Sequence, residues 1–137
     1  LNMFLLEKSI LSPKDYMSLR ASASMAKRSL KGAQKGLGNE IYSVVIKIKK
    51  TNEIIGMGRI IGDGGTVFQI CDMAVKSEWQ NKGAGTMIMD DMMKYIEENA
   101  EENAYINLLA DVNGFYEKWG FETTAPNSVG MFYKKNK

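Results

Sequence analysis

Up to residue 75 the apolar positions of this chain fall in short β-branched runs; from residue 83 they recur about every four. Residues 3–6 are a first apolar run and predict a strand. Ser12-Pro13-Lys14-Asp15 then reads as a helix start, with a capping serine, a proline in the first turn and an acid near the positive end. Tyr16, Leu19 and Ala23 would line the inward face of that helix. Residues 24–38 predict a second short helix and a loop, basic through Lys27, Arg28, Lys31 and Lys35. Residues 41–48, 54–61 and 66–75 predict three strands. Lys50-Thr51-Asn52-Glu53 and Gly62-Asp63-Gly64-Gly65 join them, placing Asn or Gly where a hairpin needs positive φ. The result is an antiparallel meander.

The period then changes. From residue 83 to about 99, Ala84, Ile88, Met92 and Ile96 recur every four positions, widened by Met89 and Met93, with Asp90, Asp91, Lys94, Glu97 and Glu98 elsewhere. That is an amphipathic helix. Residues 105–110 predict a short strand, so strand, helix and strand form a crossover to a parallel neighbour. Residues 111–119 predict a short helix stopped by Gly120. Residues 121–123 and 129–133 predict two closing strands around Ala125-Pro126-Asn127. The class is α+β, three layers deep: a mixed, mostly antiparallel sheet with helices on both faces, as one domain over residues 1–137.

Composition narrows the chemistry. The 137 residues are 45% hydrophobic and 25% charged, ordinary for a globular chain. No histidine is present, which removes Ser-His-Asp and Cys-His catalysis, histidine metal sites and histidine bases. The lone Cys71 can form neither an internal disulfide nor a cysteine zinc cluster; it fits a reducing, cytoplasmic setting and reads as small buried filler. No metal is expected. No apolar run reaches the ~18 residues that would span a membrane. Residues 1–10 carry Glu7 and Lys8 and lack the long apolar core of a signal peptide. A net charge of +2 gives no argument for nucleic acid.

The informative stretch runs from Asp72 to Thr86. A buried strand ends near Val75, a polar loop follows, and Gln80-Asn81-Lys82-Gly83-Ala84-Gly85 opens the long helix. The first helical turn offers unpaired N–H groups and the positive end of the dipole. Gly83 and Gly85 remove side chains that would hold a ligand off the backbone. Lys82 adds charge and Thr86 a hydroxyl, completing an anion cradle suited to a pyrophosphate. There is no P-loop motif, and Gly56-Met57-Gly58 with Gly62 has the wrong spacing and context for a dinucleotide fingerprint.

Gln80-x-x-Gly83-x-Gly85 resembles the Arg/Gln-x-x-Gly-x-Gly/Ala signature of the GNAT superfamily of N-acetyltransferases. Phe115-Tyr116-Glu117-Lys118-Trp119-Gly120-Phe121 is similar to the family's second, tyrosine-bearing signature. The resemblance implies the GNAT acyl-CoA N-acyltransferase fold and acetyl-CoA as co-substrate. It implies that Met73, Ala74 and Val75 pair with the pantetheine arm. Gln80, Asn81, Lys82, Gly83, Ala84, Gly85 and Thr86 would surround the pyrophosphate. Tyr116 would be the acid that protonates the departing thiolate, and an N–H near Val75 would serve the oxyanion. Two positions depart from the family pattern. Gln69 stands where several members have an acid, which leaves the base open, with Asp72 as the candidate. Asn113 is a weak substitute for the family's cofactor-binding Asn. The implied activity is acetyl transfer to a primary amine of unidentified kind; the alternative is a degenerate acyl-CoA-binding sensor. Met25, Met57 and Met131 are candidates for an adaptable acceptor pocket. An amine acceptor is the expected partner, nucleic acid and membrane are not, and a homodimer through the last strands, common in the family, is allowed.

Overall fold

The structure, a computed structural model, describes residues 2–135. Strand β1 (Phe4–Lys8) leads into α1 (Pro13–Ser22) and α2 (Leu30–Gly36). Then come β2 (Tyr42–Ile48), β3 (Ile54–Gly62), β4 (Val67–Val75), α3 (Ala84–Asn99) and β5 (Tyr105–Asn107). Single 3-10 turns lie at Ser77–Trp79 and Tyr116–Trp119. The sheet order is β1-β2-β3-β4-β5; every pair is antiparallel except β4–β5.

The first two helices each start on a serine. The Ser12 hydroxyl accepts from the Asp15 amide at 3.1 Å and Ser29 from the Gly32 amide at 2.9 Å. The hairpin turns use Asn52 at φ 65° and Gly62 and Gly64 at φ 145° and 80°.

The middle strands are apolar on both sides because both sides are covered. Val44 and Ile46 pack with Ile88, Met92 and Ile96 of α3. Val45, Met57 and Ala74 pack with Tyr16 and Leu19 of α1 and Ala33 of α2. Each valine, leucine, isoleucine or methionine among them contributes about 1.5–3 kcal/mol by leaving water. The α3 layer lies very close to the sheet at Gly58, where a Cβ would stand 2.6 Å from Ile88 Cγ2. The mixed sheet with helices on both faces is the architecture its pattern predicts.

The second half departs from expectation in three places. Strand β5 ends at Asn107 rather than at 110. Residues 111–119 form no α-helix: Gly114 turns the chain at φ 81°, and only the single turn Tyr116–Trp119 follows before Gly120 stops it at φ 89°. Residues 121–123 and 129–133 join no strand among the described residues, so the sheet ends at β5. Apolar alternation makes a segment fit for a strand, but a strand exists only by pairing, and among the described residues neither segment is laddered to the sheet.

Candidate active site

Strand β4 carries the irregularity on which the site is built. Met57 stands opposite Ala74 and Arg59 opposite Cys71, so Gly58 alone faces two residues, Asp72 and Met73. This is a β-bulge, and Asp72 takes the left-handed conformation at φ 54° to make it. The extra residue reverses the alternation of faces. Phe68, Ile70, Met73 and Val75 all pack with the α3 layer, while Ala74 joins the α1 layer. Asp72 is thereby turned toward α1. Its carboxylate accepts from Arg20 Nη1 at 2.5 Å, Arg59 Nη1 at 2.6 Å and the Tyr16 hydroxyl at 3.0 Å. Burial, then the Asp72 charge, raises the Tyr16 pKa above its usual value. The adjacent Cys71 thiol is pushed up to about 12, chiefly by burial, and is an inert filler.

Beyond the bulge the sheet opens. Strand β5 pairs with β4 only through Val67–Tyr105, Phe68–Ile106 and Gln69–Asn107. Gln69 donates its side-chain Nε2 to Asn107 Oδ1 at 3.1 Å, which closes the vertex of the split. From there residues 70–75 run on without β5 beside them, and a cleft of about 560 Å3 occupies the gap.

The start of α3 forms one wall of that cleft. Gly83 caps it at φ 95°, a conformation that favours glycine, and no side chain caps the first turn. Asn81, at φ 62°, bends the loop, and Gln80 Nε2 ties it to the Val75 carbonyl at 2.9 Å. A Cβ on Gly85 would stand at contact distance from Phe115, 3.5 Å, in space that now belongs to the cleft.

The facing wall is the segment around Tyr116. Its ring sits edge-on to Phe115 at 5.0 Å and to Phe121 at 6.4 Å. Trp119 Nε1 donates to Asp90 at 2.9 Å, fastening the segment to α3. Burial, and secondarily the charge of Asp111, raise the Tyr116 pKa above its usual 10.

Of the residues singled out from sequence, Met73, Ala74, Val75, Gln80, Asn81, Gly83, Gly85, Thr86, Asn113 and Tyr116 all line this one cleft. Lys82 is exposed beside it and Ala84 is buried in the α3 core. Asp72 does not line it. Of the candidate acceptor methionines only Met25 does; Met57 is core and Met131 is on the surface. Sequence reasoning missed Ala23, Trp79, Asp111, Val112, Phe115 and Lys118 in the lining, and Arg20 beneath it. Arg20 was findable, since it follows Tyr16 by four on the helix and so shares its buried stripe.

Comparison with known proteins agrees with this fold. The family model for the acetyltransferase (GNAT) domain matches residues 39–123. A 1.7 Å crystal structure of a probable acetyltransferase from meticillin-resistant Staphylococcus aureus is 42% identical, with a TM-score of 0.91 over 96% of this chain and 99% of that one. A GNAT-family acetyltransferase from Streptococcus pneumoniae shares the fold at 20% identity, TM-score 0.80, over 98% of this chain and 100% of that one. The N-acetyltransferase ycf52 of Porphyra purpurea is 29% identical over 82% of this chain; the aligned region spans 66% of the ycf52 chain, just under two thirds.

Proposed function

This chain belongs to the acetyltransferase (GNAT) family, and from that premise we propose that it moves the acetyl group of acetyl-CoA directly onto a primary amine. The observation that carries the reading is one cleft bringing together the uncapped start of α3, the unpaired end of β4 and Tyr116.

The residues suit the parts of the co-substrate. The amides of Ala84, Gly85 and Thr86 have no partner within the helix, and the dipole adds positive charge, which fits a pyrophosphate. Met73, Ala74 and Val75 offer a strand edge to the amide-bearing pantetheine arm. Asn113 lies on the wall across from them. When bound, acetyl-CoA supplies an activated acyl thioester. A backbone N–H near Val75 is the donor for the carbonyl oxygen as it gains charge.

Tyr116 acts as the hydrogen-bond and proton donor to the departing sulfur. With its pKa raised by burial it stays protonated at neutral pH. The protein base is not Asp72 in this reading. Two guanidinium groups and a phenol already hold that carboxylate on the side facing α1, so it is a poor acceptor for the amine's proton. The amine loses its proton to water. The same engagement of Asp72 is the one observation favouring the second reading, an acyl-CoA binder without turnover.

Thermal unfolding with acetyl-CoA, ATP and NAD tests the proposal. At about 100 times its dissociation constant a ligand adds roughly 2.7 kcal/mol, a shift of several degrees for a chain of this size. A rise with acetyl-CoA alone is expected, and thiol release with a panel of primary amines separates transfer from binding. No rise with acetyl-CoA overturns both readings.

A further inference from the structure

Beneath α1 lies a set of buried charges that the transfer reaction does not use. Glu40, Arg59, Asp72 and Arg20 run in a line from the edge of β2 across β3 and β4 to α1. Arg59 Nε donates to Glu40 at 2.9 Å, and both arginines donate to Asp72. The charges balance, and among the described residues no buried side-chain polar atom lacks a partner. Such a cluster is a costly way to join two layers, since apolar packing usually does it as well or better.

Arg20 does something Arg59 does not. Its residue is 3% exposed, and two of its nitrogens, Nε and Nη2, donate to the Ala26 carbonyl at 3.1 and 2.6 Å while Nη1 holds Asp72. Ala26 directly follows Met25, and Asp72 directly precedes Met73; both methionines line the cleft. After α1 the chain turns at Ser24 with φ 60°; the Met25 amide donates to the Arg20 carbonyl at 2.9 Å, and at Ala26 the Arg20 side chain takes over the restraint. The guanidinium therefore spans from the loop wall of the cleft to its bulged-strand wall.

We infer that Arg20 is a positioning residue whose planar fork sets the spacing of these two walls, and with it the width of the cleft on the α1 side. Lysine at this position keeps the charge for Asp72 but has no fork, so it cannot hold the carbonyl and the carboxylate in one fixed geometry. The consequence for acetyl transfer rests on the function proposed above; the restraint on the loop does not.

The test is methyl NMR of protein labelled at the methionine ε-carbons, comparing wild type, Arg20→Lys and Arg59→Lys. Both variants take one buried guanidinium from Asp72, but only Arg20 touches the loop. In Arg20→Lys the Met25 methyl resonance should move and broaden while the core methyls of Met89 and Met92 stay in place. In Arg59→Lys the Met25 resonance should stay. A Met25 signal unmoved in Arg20→Lys, or moved equally in both variants, overturns the inference, because a purely structural arginine would lower the melting temperature without that difference. If Arg20→Lys does not fold, the charge-neutral pair Arg20→Gln with Asp72→Asn is read the same way. Acetyl-CoA titrated into wild type should shift Met25 and Met73 together. Absence of that shift would count against the proposed function and leave the comparison of the two variants standing.

Discussion

Tyr116 occupies a single turn held by ring contacts on both sides, so its hydroxyl can be removed without disturbing its supports. Tyr116→Phe is expected to lower turnover by about 10²- to 10⁴-fold, the usual reach of a general acid. Acetyl-CoA affinity should stay the same, and kcat measured beside the dissociation constant checks both. Because burial and Asp111 raise the tyrosine pKa, its protonated form persists upward from neutral pH, so wild type should show no alkaline loss of rate from this group below about pH 10. Tyr116 was singled out through the resemblance of residues 115–121 to the family's second signature, which the sequence shows directly. The place of Asp72 was not legible there. An acid in an apolar strand signals that it is paired or used, but its partners, Arg20 and Tyr16, lie 52 and 56 residues away along the chain.

Among the elements, the start of α3 makes the sharpest prediction. At φ 95° any L-residue in place of Gly83 costs about 1–2 kcal/mol, yet a Cβ there meets open space. Gly83→Ala should therefore lose that stability and keep acetyl-CoA binding. Gly83→Glu should lose the same stability and also lose binding, since its carboxylate competes for the amides that a pyrophosphate would use. Calorimetry on both variants separates strain from site. The β3–β4 turn makes another. Asp63 is held below the usual carboxylate range, first by the Thr66 hydroxyl at 2.6 Å and then by the amides of Gly65, Val67 and Thr66. A depressed pKa means the stabilisation is present above the unfolded value, about 4, and fades as pH falls below it. The gap in melting temperature between wild type and Asp63→Ala should accordingly narrow under acid. Asp63 was already visible as turn chemistry in the sequence, because a turn is closed by residues two to four positions apart.

At the scale of the whole molecule, the sheet stops early. Strand β5 is an open edge, and a groove of about 520 Å3 beside it is lined in part by Tyr105, Leu109, Glu97, Glu117 and Glu122. The chain's last described residues expose large apolar side chains: Val129 at 71%, Met131 at 88% and Phe132 at 87%, followed by Lys134 and Lys135. An unpaired edge and an apolar arm each tend to find a partner, and here the groove is acidic where the arm is basic. We expect a homodimer in which residues 129–132 of each copy lie along β5 of the other. Sedimentation of the full chain should give twice the monomer mass, and a chain ended at Ser128 should sediment as a folded monomer. A full chain that stays monomeric at high micromolar concentration, or a shortened one that still dimerises, would show that the arm has another role. No helix among the described residues is long and apolar enough to cross a membrane.

The sequence alone determined the element order as far as β5, the serine cap of α1, the hairpin turns, the face α3 buries and its glycine-marked start. These depend on interactions within about four residues, and so they leave periods and spacings that can be read along the chain. Tertiary structure alone decided the bulge at Asp72, the burial of Arg20, the residue after which the sheet opens and the exposure of Val129, Met131 and Phe132. The bulge depends on α1 reaching across to Asp72 and on Gly58 letting α3 come close to the strand beside it. A segment with the right alternation becomes a strand only when a neighbour offers its edge. Both conditions are set by distant parts of the chain, and no local pattern records them.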